Sequence, residues 1–367
     1  MSKGMLLVTA ALGLSSAFGQ HSGIALPVPH DPLEFAAGEV QALDGLDQQK
    51  ALQLLARARE QYTIHNGPQG YRLKVSFQVD SGGQTQYDGD WEMEEIYFPR
   101  LGQRWTAKTA GYSATQIVAN GLRFGDGAGT NIPLRLHEAR ATLFDPVGTP
   151  ANRDIRTAAA TYRGVAMTCV LTAGPEHVPT EAPGRRWDET ENCIDPQSGL
   201  IQTHSTVPGR YYLYDYTDAP KLGKHVLPRR VTVIEGGKTV VRIHVESLTE
   251  LAEADPKLFT ATKEMTWGVN MVSQQKMTVF AKGSIPPDAT FQPVCVFGLV
   301  TPSGQLVEAH ALESSGPKSA AAVEYAKGMH FTVPNPVGGA QQHFVFIIEN
   351  FVAGSASGRQ TKAVARY

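Results

Sequence analysis

Residues 71–79 read Tyr71-Arg72-Leu73-Lys74-Val75-Ser76-Phe77-Gln78-Val79, an unbroken alternation of apolar and polar side chains. Successive side chains on a strand point to opposite faces, so Tyr71, Leu73, Val75, Phe77 and Val79 share one face and the polar residues the other. Such a strand is buried on one side only, and it predicts an antiparallel sheet that needs a cover. The cover stands just upstream. Residues 46–62 place Leu46, Leu52, Leu55, Ala56 and Ala58 near helical spacing among Lys50, Arg57, Arg59 and Glu60. That is the pattern of an amphipathic helix, and Asn66-Gly67-Pro68 ends it.

Working outward, Ser81-Gly82-Gly83 turns the chain, and Asp88, Asp90, Glu92 and Glu94 then alternate with Gly89, Trp91, Met93 and Glu95. Further strands are expected over 104–109, 116–120, 122–124, 162–171, 200–206, 211–215 and 225–234, with a short helix over 134–143. Glu235-Gly236-Gly237-Lys238 is a hairpin signal, and 239–245 returns with Val241, Ile243 and Val245 on one face. Alternation is lost over 251–267, which marks a boundary. Beyond it come a strand over 276–281 and a hairpin of 292–300 with 305–312 around Thr301-Pro302-Ser303-Gly304. A helix over 318–329 and a closing strand with Phe344, Phe346 and Ile348 on one face complete the unit.

The expected fold is therefore α+β: an N-terminal antiparallel half-barrel sheet wrapped on a helix, with a small C-terminal α+β domain. The division reads 1–19 signal peptide, 20–45 linker, 46–252 first domain, 253–275 linker, 276–353 second domain and 354–367 flexible tail. The signal peptide rests on Lys3, an apolar run over 5–14, and the small-residue exit Ala17-Phe18-Gly19, with cleavage expected before Gln20. Export to the periplasm is expected, with an uncleaved anchor helix as the alternative.

The chain has 367 residues, 33 basic and 35 acidic, a formal charge of −2 and 42% hydrophobic side chains. A real core is affordable at this size, and two domains are expected. The near-neutral charge, without long runs of one sign, speaks against nucleic acid as a partner. Three Cys rule out a disulfide-built scaffold. In an oxidising compartment Cys169 and Cys193 can pair if their strands are neighbours, and the closed loop would contribute about 3 kcal/mol; two buried free thiols are the alternative. Cys295, between Val294 and Val296, reads as an inert core thiol.

Catalytic signatures are absent: there is no Gly-x-Ser-x-Gly, His-Glu-x-x-His, Walker A or Gly-x-Gly-x-x-Gly. No two of the eleven His stand at metal-ligand spacing. The four acids of 88–94 share one strand face, either as a solvated outer surface or as a place that collects a cation or a basic partner. No enzyme, cofactor or metal is expected. A hydrolase with its site assembled from distant loops is the competing reading.

Two resemblances add to this. Residues 296–317, the Ala-rich stretch Ala320-Ala321-Ala322-Val323-Glu324-Tyr325-Ala326, Phe331-Thr332-Val333-Pro334-Asn335-Pro336, Gly338-Gly339 and the strand through Phe346 follow one another in the order seen in the TonB C-terminal domain family. That resemblance implies a module that adds a strand to an outer-membrane receptor or another envelope protein, with transmembrane transport as its setting. The implied partner edge is His343, Val345 and Ile347. The first domain, by its helix-first meander and the Asp195-Pro196-Gln197-Ser198-Gly199-Leu200 turn, resembles the LolA-like periplasmic carriers. That resemblance implies a lipid or lipoprotein as partner, held on an apolar face. Leu73, Val75, Phe77, Trp91 and Met93 are then either the ligand face or the core beneath the first helix.

Overall fold

The computed structural model describes residues 34–35, 40–43, 45–62, 64–65, 67–126, 132–148, 154–173, 185, 189–267, 278–282, 296–300, 305–312, 320, 323–324, 326–328, 330–332, 344–348 and 361–365. In chain order these form β1 (Glu34–Phe35), β2 (Gln41–Ala42), α1 (Gly45–Tyr62), β3 (Gly70–Val79), β4 (Gly89–Phe98), β5 (Gly102–Thr109), β6 (Tyr112–Ala119) and β7 (Leu122–Gly125). There follow α2 (Leu134–Phe144), β8 (Asp154–Tyr162), β9 (Val165–Ala173), β10 (Thr190–Ile194), β11 (Ile201–Val207), β12 (Arg210–Asp215), β13 (Lys221–Leu222) and β14 (His225–Val226). β15 (Arg230–Glu235), the long β16 (Lys238–Leu251) and β17 (Thr266–Trp267) end this part. The rest is β18 (Thr278–Lys282), β19 (Val296–Val300), β20 (Leu306–Ala311), β21 (His330–Thr332), β22 (Phe344–Ile348) and β23 (Thr361–Ala365).

One 15-stranded sheet runs β1-β8-β9-β10-β11-β12-β15-β16-β3-β4-β5-β6-β7-β17, with β2 also on β8. Its ladders are antiparallel, and most neighbours are consecutive in sequence. The exception closes the middle: β16 returns beside β3, pairing Ile243 with Phe77 and Val245 with Val75. One face carries the main core. α1 buries Ala51, Leu55, Ala58 and Tyr62 against it, and α2 buries Leu136, Ala139, Leu143 and Phe144. Leu46, at the start of α1, stays exposed. The other face holds a smaller cluster of Ala158, Ala160, Tyr162, Met167, Leu171 and Tyr211 around the Cys169–Cys193 disulfide. The two cysteines are directly opposed on β9 and β10, so pairing needed no movement of either strand.

The expected α+β class is corrected. Strands dominate, α1 and α2 are the α-helices whose bounds are described, and the large sheet is open. The second unit is not a small TonB-like domain but a six-stranded sheet, β20-β19-β22-β23-β18-β21. The proposed partner edge is corrected with it. Val345 and Ile347 lie on β22, which pairs with β19 on one side and β23 on the other, so its backbone groups are already committed. Residues 361–365, read as part of a flexible tail, supply β23, and the expected linkers contribute β1, β2 and β17. The signal segment, Cys295 and His343 lie outside the described residues; of the helix expected over 318–329, residues 320, 323–324 and 326–327 are described and are helical.

Among the described residues no strand pairing joins the two sheets. They meet through β20, the last strand of the six. Its Ala309 N–H donates to Gln84 Oε1 at 2.8 Å. The turn glycine Gly236, between β15 and β16, approaches so closely that a Cβ there would fall 1.8 Å from the Ala311 carbonyl oxygen. Gly236 also sits at φ +57°, a left-handed conformation that favours glycine.

Gly236→Ala therefore combines backbone strain with a clash against main chain, whereas Gly121→Ala, at φ +75° with nothing within 4 Å, meets strain alone. Urea unfolding should show Gly121→Ala costing about 1 kcal/mol and Gly236→Ala clearly more. Equal costs would show that the hairpin does not bear on β20.

Candidate functional site

The helix-covered face can be read row by row across the strands, because paired residues lie on the same side. Ile243, Phe77 and Trp91 form the first row, with Tyr112 beyond; the Phe77 and Trp91 rings stack at 5.2 Å and Tyr112 lies 5.4 Å from Trp91. Val245, Val75, Met93, Ala107 and Ala114 form the second. The third is Leu248, Leu73, Glu95, Trp105 and Gln116, and the fourth Tyr71, Tyr97, Gln103, Val118 and Arg123. From first row to fourth the face passes from aromatic and aliphatic to amide, carboxylate and guanidinium.

Leu73, Val75, Phe77, Trp91 and Met93 are thus brought onto one face, and each is almost wholly buried in a core shared with both helices. Their partners at the polar end went unread in the sequence. Glu95 is fully buried and accepts from Tyr71 Oη at 2.6 Å, Gln103 Nε2 at 2.7 Å and Arg140 Nη2 at 2.8 Å. Arg140, on α2, also lies over the Trp105 ring at 4.8 Å, and its buried Nε has no hydrogen-bond partner. Trp105 Nε1 and Arg123 Nη1 both donate to Gln116 Oε1, at 3.1 and 3.4 Å. Burial, and then the Arg140 charge, push the His137 imidazole down to about 4. Burial, then Arg140, likewise lower Arg123. Burial and the Glu95 charge keep the Tyr71 phenol protonated. A signal for this end was present: Glu95 is the carboxylate that stands in the apolar phase of β4, after Trp91 and Met93.

The acid row resolves differently. Glu92 pairs with Lys108 at 2.9 Å in solvent, and Glu94 faces Arg72 at 4.0 Å. Asp88 folds into the preceding loop, where Ser81 N, Ser81 Oγ and Gly83 N donate to it. These acids answer neighbouring groups rather than converge. A shallow hollow of about 240 Å3 lies elsewhere, between β2 and β8–β9, lined by Gln41, Thr157, Ala158, Ala159 and Thr168.

A second buried polar cluster sits where the two sheets meet. Arg135 of α2 contacts Glu138 at 2.8 Å, Glu235 at 2.9 Å and Glu308 of β20 at 2.6 Å. Arg210 joins Glu235 at 3.0 Å and Glu138, and lies over the Phe297 ring at 4.4 Å. Tyr212 donates to Glu138, and His310 Nε2 stands 3.4 Å from Glu235. Burial alone would raise the Glu235 and Glu138 carboxyls, but Arg135 and Arg210 outweigh it and hold both below 4.5. The two arginines and the three carboxylates are each held by a counter-charge, which suits a structural joint.

No family model matches the chain, and no curated protein matches it. Solved structures do. A LolA superfamily protein from Nitrosomonas europaea is 10% identical, covering 57% of this chain and 97% of its own at a TM-score of 0.38. A DUF1329 family protein from Desulfovibrio piger is 8% identical over 58% and 96%, at 0.39. The Pseudomonas aeruginosa MucA/MucB complex offers a chain 13% identical over 86% and 93%, at 0.30. At these identities and TM-scores each is a distant likeness of fold and says nothing of a ligand.

Arg135→Met leaves Glu235 and Glu308 buried with one guanidinium fewer and should cost about 3–5 kcal/mol at pH 7. Carboxyls held below 4.5 in the folded chain contribute stability above that pH, and this contribution is lost as pH falls through their folded values. In the variant the orphaned carboxylates take up protons more readily, so the deficit should be smaller at pH 4 than at pH 7 in urea unfolding. Equal deficits would point to lost packing instead of charge.

Proposed function

We propose that this chain is an exported, non-enzymatic carrier of the cell envelope, which holds a lipid or the lipid-bearing end of a lipoprotein between its large sheet and the helices that cover it. The observation that carries the reading is the graded face: aromatic and aliphatic rows at Phe77, Trp91, Val75 and Met93 give way to Glu95, Gln116 and Arg123. An amphiphile has the same gradient along its length.

On this reading α1 is the part of the cover that gives way to the ligand. α1 meets the core through Ala51, Leu55, Ala58 and Tyr62, whose burial contributes roughly 5 kcal/mol. Its polar ties are mixed: Arg57 to the Pro196 and Gln197 carbonyls and Glu60 to Lys224 are exposed, whereas Arg59 donates to the Val147 carbonyl and the Tyr62 hydroxyl accepts from Ile201 N–H and bonds Tyr216 away from solvent. Burying ten methylenes of an acyl chain gives about 8 kcal/mol, a gain of the same order as the apolar contacts of α1 that a chain would replace. The Cys169–Cys193 disulfide supports an oxidising compartment, in keeping with export.

Native mass spectrometry of the protein purified from the envelope, with organic extraction, should show a co-purifying lipid. An acyl chain brominated near its middle should then quench Trp91 and Trp105 emission on binding. A clean apo mass, together with no quenching on added lipid, would retire the carrier reading.

A further inference from the structure

The polar end of the covered face holds an uneven set of charges. Arg140 and Arg123 stand at this end, on α2 and β7, and Glu95 is the carboxylate that meets Arg140. Arg123, half-buried, has no carboxylate partner among the described residues; its hydrogen bond goes to the neutral Gln116. The Arg140 Nε is buried without a partner. Glu138, the nearest acid on α2, is taken up by Arg135 and Arg210 at the joint between the sheets. A guanidinium withdrawn from water without a counter-charge is costly, and two that repel each other are more so. Planar forks of N–H donors suit the paired oxygens of a carboxylate or phosphate. The apolar rows lie one strand-step away, within the reach of a chain attached to such a head.

Resting on the carrier reading, we propose that Arg123 and Arg140 form the head-group site for an anionic amphiphile, a single-chain acid whose tail lies along Val75, Met93, Phe77 and Trp91. The anion supplies the charge that Glu95 leaves unmet. Arg140 keeps its Glu95 and Trp105 contacts and acts as the fixed half of the clamp, and Arg123 as the adjustable half.

The test measures binding of oleate, oleyl alcohol and inorganic phosphate to the full chain by calorimetry. The wild type should bind oleate at least roughly tenfold more tightly than oleyl alcohol, the worth of one charge-assisted hydrogen bond. Arg123→Gln should lower oleate affinity to that of the alcohol, and Arg123→Lys should restore part of it. Arg242→Gln, at an exposed arginine of β16 that bonds Gln78, should leave oleate affinity where it was. Circular dichroism of each variant confirms that it folds. Equal wild-type affinity for oleate and alcohol overturns the head-group site and leaves the carrier reading standing. Binding of neither overturns both. Phosphate bound as tightly as oleate would assign the arginines to a free anion and overturn the amphiphile.

Discussion

A sheet this wide has one face that water must not reach, and everything else in the molecule answers to that constraint. β3 throughout and β4 as far as Glu94 meet it with alternation, sending Leu73, Val75, Phe77, Trp91 and Met93 inward and Arg72, Lys74, Glu92 and Glu94 outward. The helices are small solutions to a large problem. α1 brings two alanines, a leucine and a tyrosine, and α2 adds leucines and a phenylalanine. Most polar groups on the same face satisfy one another, as Tyr71, Gln103 and Arg140 satisfy Glu95.

Much of this was legible in the residues. The period-two pattern of 71–79 placed β3, the helical spacing of 46–62 placed α1, and the double glycine at 236–237 placed the β15–β16 turn. β8 escaped because Ala158, Ala159 and Ala160 run together, and three small side chains in a row mute the contrast between faces. The last strand escaped because five residues near the chain's end carry too little pattern to distinguish from a tail. The fold class failed for a related reason: a strand–turn–strand–helix order is compatible with several sheets, and only pairing partners decide among them.

The apolar half of the candidate site was legible and the charged half was not. Phe77 and Trp91 announce themselves through local periodicity. Arg140 and Glu95 are 45 residues apart, and Arg135 and Glu308 are 173 apart. No local rule pairs such residues; the topology of the sheet does. The joint between the sheets shows the same dependence. Arg135, Gly236 and Gln84 come from a helix, a turn and a loop, yet they converge on β20 and cap an edge that would otherwise offer free backbone groups.

The clasp between β9 and β10 has a mechanical side. Cys169 and Cys193 are 24 residues apart and directly opposed, so tension passing along the backbone crosses the sulfur bridge and bypasses the segment between them. That segment carries no load while the bridge is intact. At about 3.4 Å of extended chain per residue, an oxidised molecule drawn out from its ends stays roughly 80 Å shorter than a reduced one. The bond thus acts as a length limiter for the whole chain, held in register by the β9–β10 ladder.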